Sequence, residues 1–212
     1  VEGRSSRADR RRRVVPGLMP GLLVLTAFAL LACTPRAAPP SADQPPPPVP
    51  DLTGQSVMVL PVQTGNLVRR GDSALDSEIA FWLEERGGGI RWTFAPALAE
   101  VLRRSPGLDI QLDALAVASF RRAEVRNIGD PLFGDLRRLG ALVDARYALL
   151  PVSAEFVPGP DGTGRVELAA AIIDTLGGRV LWYGVVAGEP GSRSEPAVLA
   201  SAARRLASAV VR

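Results

Sequence analysis

The stretch Ile173-Asp174-Thr175-Leu176-Gly177-Gly178-Arg179-Val180-Leu181-Trp182 decides the fold. Two runs rich in valine, isoleucine and alanine, Arg165–Asp174 and Arg179–Gly188, flank the short connection Thr175-Leu176-Gly177-Gly178. A glycine-containing link of that length between two strand-like runs predicts a β-hairpin. Upstream, Arg146–Phe156 predicts a third strand, in which Pro151 cannot donate to a ladder and so marks a bulge or an edge position. Downstream, Glu195-Pro196 opens a helix with the apolar stripe Leu199, Ala202, Leu206, Ala209 and Val210.

Further from the hairpin, Ser56–Val62 (Ser-Val-Met-Val-Leu-Pro-Val) is a short valine-rich run bounded by Thr53-Gly54 and Thr64-Gly65, the pattern of a buried strand. Ala74–Arg86 places Leu75, Ile79, Trp82 and Leu83 on one helical face and ends at Gly87-Gly88-Gly89. A helix at about Pro96–Arg104 follows, then a short strand at Leu108–Leu112. Asp130-Pro131 opens another helix, with aspartate as N-cap, proline at the first position and Leu132, Leu136, Leu139 and Val143 at helical spacing. The expected fold is α/β (α+β): a mixed sheet of about five strands with helices packed on it, a late β-hairpin and a C-terminal helix.

The opening strand Val57–Pro61, the strand Tyr147–Val152 and the hairpin from Ile173 to Trp182 resemble a family that contains the N-terminal domain of TolB, the curli-secretion lipoprotein CsgG and the penicillin-binding-protein activator LpoB. Those share a strand of the type V-x-V-L-P and a late hairpin of the type D-x-x-T-G-x-V-L-W. Gly177 stands here where that pattern has threonine. The resemblance implies an envelope-assembly or cell-wall-synthesis accessory protein and no enzymatic activity.

The first 50 of the 212 residues have a different character. Six arginines lie within the first 13 residues, and Leu22–Ala32 is then apolar apart from Thr26. That core suits a signal peptide and is shorter than the ~20 apolar residues a membrane span needs. It ends Leu30-Leu31-Ala32-Cys33, which resembles the lipobox of bacterial lipoprotein precursors: cleavage between Ala32 and Cys33, then lipidation of the cysteine thiol. Each buried acyl methylene contributes ~0.8 kcal/mol, so two or three chains anchor stably. Cys33 is the single cysteine, and Thr34, not aspartate, follows it, which favours the outer membrane over the inner. Thr34–Pro50 holds eight prolines and predicts an extended tether reaching up to ~50 Å. The expected organisation is therefore a signal peptide at 1–32, lipidated cysteine and tether at 33–50, and one globular domain at 51–212.

Charge and composition exclude several function classes. The whole chain carries +3, but the first 33 residues hold six of its 25 basic and two of its 22 acidic residues. The remainder keeps 19 against 20, a net charge of −1, and that is no phosphate-neutralising surface. With no histidine there is no Ser-His-Asp triad, no Cys-His pair and no histidine metal site. Arg86–Gly89 and Gly162–Gly164 lack the lysine and hydroxyl residue of a phosphate loop. Asp72, Asp76 and Glu78, or Asp130 and Asp135, are carboxylates close enough in sequence to test as a glycosidase-type pair, yet caps and solvated faces account for them. No cofactor or metal is expected, and Trp82, Trp92 and Trp182 are read as core. The segment around Arg121, Arg122, Arg126 and Asp130 is the expected partner-binding edge. The sequence thus reads as a non-catalytic accessory factor on the periplasmic face of the outer membrane. It would bind another envelope protein, reach the membrane through its lipid, bind no nucleic acid, and exist as a monomer or small oligomer without forming a pore. The alternative is a solute- or glycan-binding module with an apolar pocket.

Overall fold

The computed structural model describes residues 48–65, 74–122 and 125–211, without the side chains of Arg121, Arg122 and Asp161. The signal segment, Cys33 and most of the tether lie outside the described residues, as do Arg69, Arg70 and Asp72. Everything described belongs to one compact unit, Arg36–Arg212.

Five strands form one mixed sheet. They are β1 (Ser56–Val59), β2 (Arg91–Thr93), β3 (Tyr147–Pro158), β4 (Gly164–Asp174) and β5 (Val180–Ala187), in the spatial order β2-β1-β3-β4-β5. Four helices accompany them: α1 (Ala74–Arg86), α2 (Ala95–Arg103), α3 (Leu132–Val143) and α4 (Pro196–Val210). β1 runs parallel to both neighbours, with Val57 opposite Trp92 on one side and Tyr147 on the other. Parallel strands need crossovers and are covered on both faces, which is why Val57, Met58 and Val59 are all buried. From β3 onward the sheet is antiparallel and built from hairpins.

Each face of the sheet carries its own apolar layer. On one, Leu75, Ile79 and Leu83 of α1 and Val198, Ala202, Ala203, Leu206 and Val210 of α4 pack over Val57, Leu149, Leu168, Ile172 and Trp182. On the other, Leu98 of α2 and Leu132, Leu136 and Leu139 of α3 pack over Met58, Ala148, Leu150, Ala171 and Ile173. Small side chains on α4 let it lie close to the sheet: a Cβ on Gly188, just after β5, would stand 2.9 Å from the Ala202 backbone nitrogen.

Pro151 produces a bulge and not an edge. β3 is the central strand, and its pairing with β4 slips between Pro151 and Ser153. One extra residue exchanges the two faces of everything beyond it. Leu149 faces α1 and α4 before the slip, while Ala154 and Phe156 face them after it. Ala148, Leu150 and Val152 take the opposite face. Thus a strand of 12 residues keeps apolar side chains inward on both sides of an inserted residue.

Three expectations are corrected. Leu108–Leu112 is not a strand: Ile110 is buried, with Leu108 and Leu112 half-buried, as packing beneath α2 and α3, and the segment joins no ladder. The Leu112 carbonyl is instead taken by the Gln63 side chain at 2.8 Å. The fifth strand is β2, whose Arg91 N–H donates to the Gln55 carbonyl at 2.9 Å. Finally, Pro131 and not Asp130 is the residue next to the first turn of α3, although the Asp130 carboxylate still accepts a bond there, from Gly134 N–H at 3.0 Å. Among the described residues, no helix is long and apolar enough to cross a membrane.

Candidate functional site

The polar turn expected to bind a partner lies against the outer side of β5. Val180 N–H donates to the Arg126 carbonyl at 2.9 Å, and Ile128 N–H donates to the Gly178 carbonyl at 2.8 Å. Asn127 forms an antiparallel bridge with Arg179. Residues 126–128 therefore act as a short added strand that closes the start of the β5 edge. The Arg126 and Arg179 side chains are both exposed. Asp130 is also exposed, but its carboxylate serves the first turn of α3. Arg121 and Arg122 fall in a 3-10 helix, Val117–Arg122, with side chains outside the described set. The structure thus places Arg126 at a sheet edge and gives Asp130 a capping task.

The hairpin that presents this edge is anchored from below. Thr175 is buried, and its hydroxyl lies 3.0 Å from the Ala145 carbonyl and 2.9 Å from that of Arg146. Gly178 takes a positive φ of 67°, and a Cβ there would meet the Phe133 ring at 2.9 Å. A side chain is excluded on both grounds. Beyond the turn, Trp182 and Val186 point into the α4 layer, while Tyr183 and Val185 take the other face, half-buried. The Tyr183 ring lies 5.5 Å from that of Phe120. Burial pushes the Tyr183 phenol above its ordinary pKa of 10.0, because the phenolate would lose hydration.

Of the carboxylates considered for catalysis, Asp76, Asp130 and Asp135 are held in structural tasks. The Asp76 carboxylate accepts the Val62 N–H at 2.9 Å, clamping the chain after β1 to the start of α1. Asp135 pairs with Arg138 at 2.6 Å. Among the described residues, no three His, Cys, Asp or Glu side chains stand together as a metal site. Of the paired arginines, Arg103 and Arg104 both bridge to Glu100, and Arg204 bridges to Glu189 at 2.5 Å. Trp182 is core at 2% exposure. Trp82 lies under Phe81 and Arg204, and Trp92 stacks on Phe94, so neither ring forms an open platform.

The arrangement defines a class of domain: a five-stranded mixed sheet between two helical layers, with polar groups assigned to structural tasks and a long strand at one margin. No family model matches the sequence, and neither does any curated protein. Solved structures with a similar chain path include the PelC dodecamer from Paraburkholderia phytofirmans (16% identity, 78% of this chain, 94% of that one, TM-score 0.42). Lipoprotein GNA1162 from Neisseria meningitidis is 18% identical over 68% of this chain and 90% of that one, with TM-score 0.41. LpoB from E. coli, whose family the hairpin motif resembles, is 16% identical over 89% of this chain and 96% of that one, also at 0.41. At such identity nothing about activity follows from the likeness.

Proposed function

We propose that the chain is an envelope lipoprotein whose domain works as a non-catalytic accessory factor, binding another envelope protein from the periplasmic face of the outer membrane. The observation that carries this is the apolar run closing Leu30-Leu31-Ala32-Cys33, with the one cysteine of the chain at the position lipidation requires. The proline-rich segment after it supports a domain held away from the bilayer, where a partner in the periplasm or wall layer would meet it. Val49, near the end of that segment, is 7% exposed and belongs to the core, which supports a domain that begins about there. A net charge of −1 after Cys33 argues against a polyanionic partner.

Fatty-acid labelling of cells tests the anchor. The wild-type chain should take up label and fractionate with the outer membrane, and Cys33→Ser should abolish the label. Undiminished labelling in that variant would defeat the proposal. Affinity capture on the mature protein from an envelope extract then identifies the partner.

A further inference from the structure

Among the described residues four large hydrophobic side chains are exposed, and two of them stand on helices of opposite layers. They are Phe81 on α1, 55% exposed, and Leu142 on α3, 39% exposed. Helical spacing puts Phe81 on one outer face with Ser77, Glu84 and Glu85, all exposed. Its ring is held edge-on to Trp82, with centroids 5.2 Å apart. The outer face of α3 carries Arg137, Arg138, Ala141 and Leu142, also all exposed.

Charge sets these two faces apart. Glu84 and Glu85 occupy the last turn of α1, where the carbonyl end of the helix dipole disfavours anions. Among the described residues neither glutamate is in an ion pair, and neither is Arg137. Arg138 is already engaged by Asp135 and by the Gly134 carbonyl, so it is not counted. We propose that the two faces meet between copies of the chain, α1 of one lying antiparallel on α3 of a second. With Phe81 set over Ala141, Glu84 comes beside Arg137, which supplies the cation that its own turn lacks. Leu142 then closes on the side of the Phe81 ring. Gly134 and Ala141 leave room for the aromatic side chain and for the helices to approach.

Other pairings of these faces set acid against acid. Parallel helices with Phe81 over Ala141 would carry Glu84 and Glu85 to the Asp144 end of α3. Two α1 helices crossing antiparallel at Phe81 would bring Glu85 against Glu78. The antiparallel contact of α1 with α3 avoids both, and the helices match in length at 13 and 12 residues. Because α1 and α3 lie on opposite faces of the sheet, the contact is head-to-tail and each copy offers both halves. One helix laid on another is smaller than a standard interface, so the association is weak and concentration-dependent. The inference rests on α1 and α3 alone and stands whether or not Cys33 carries lipid.

The test keeps an aromatic at the contact. In the full chain in detergent, Phe81 is replaced by photoreactive p-benzoylphenylalanine and the sample is irradiated over a series of concentrations. A covalent dimer should form, with the cross-link mapping by mass spectrometry to Leu132–Val143 of the second copy. The same photoreactive residue in place of Leu176, at the 67% exposed hairpin tip, is the collision control and should give no dimer. Arg137→Glu should lower the dimer yield about fivefold, and so should Glu84→Arg. The two substitutions in one chain should restore it, because the charges are exchanged across the contact. The proposal is overturned if position 81 cross-links no better than position 176 at every concentration, or cross-links outside α3. It is equally overturned if the double variant yields no more dimer than either single one.

Discussion

The two margins of the sheet are built in opposite ways. β2 is three residues long, begins with a charged residue and runs almost at once into α2. Its Arg91 side chain reaches across to the Ser56 hydroxyl at 3.0 Å, which closes the margin further. β5 is eight residues long and uncharged, its pairing with β4 slips at Leu181, and among the described residues it is met from outside by residues 126–128 at its start. Proteins usually blunt both margins by shortness, charge or cover. The short margin is thus closed by a side chain and an early helix, and the long one is built from a hairpin, a bulge and an added turn.

The largest expected effect separates the two margins by their tryptophans. Trp182 on β5 is buried beneath α4, so Trp182→Ala should destabilise the domain by about 3–5 kcal/mol. Trp92 on β2 is half-buried, and its indole N–H is buried with no hydrogen-bond partner. Trp92→Phe removes that unpaired donor and keeps a ring on Phe94, so it should cost under about 1.5 kcal/mol. Urea midpoints of the two variants measure the difference. Equal losses would show that the margins are equally integrated into the core.

A smaller effect concerns the turn that feeds β5. Thr175→Val keeps the shape and removes the hydroxyl, leaving the Ala145 and Arg146 carbonyls without that donor. A loss of about 1–3 kcal/mol is expected. If the hairpin sets the β5 margin, this variant should also expose the amides of Val180–Ala187 to hydrogen exchange while those of β1 stay protected. Uniform loss of protection would mean that the turn supports the whole sheet and not one margin.

Most of this architecture was legible in the chain because it is local. Ala74–Arg86 matches α1 at both ends, and the hairpin follows from Gly177-Gly178 between two apolar runs. Pro151 signalled an interrupted ladder, a bulge or an edge, and only the position of β3 at the centre of the sheet decides for the bulge. β2 was not legible: Arg-Trp-Thr is too short to show a period, and it is a strand only because β1 lies alongside. Leu108–Leu112 has the composition of a strand, but its apolar residues are satisfied by packing and its Leu112 carbonyl by Gln63. At the site, Arg126 and Asp130 stand out as an exposed polar turn. That the turn borders β5, with Asn127 beside Arg179, depends on the spatial order of strands that are distant in sequence. The neutral run itself was visible, but its place at the margin of the sheet was not.

The smallest effect at neutral pH grows at alkaline pH and reports on the same margin. Tyr183 has its phenol raised above 10.0 by burial. A group raised on folding contributes stability that is complete below its unfolded value and is lost as pH climbs through the folded one. Wild-type stability should therefore begin to fall above about pH 10, in a range where no lysine interferes because the chain has none. Tyr183→Phe should match wild type at pH 7 and lose less stability above pH 10. An equal alkaline loss in both proteins would show that the folded domain does not hold the Tyr183 phenol away from water.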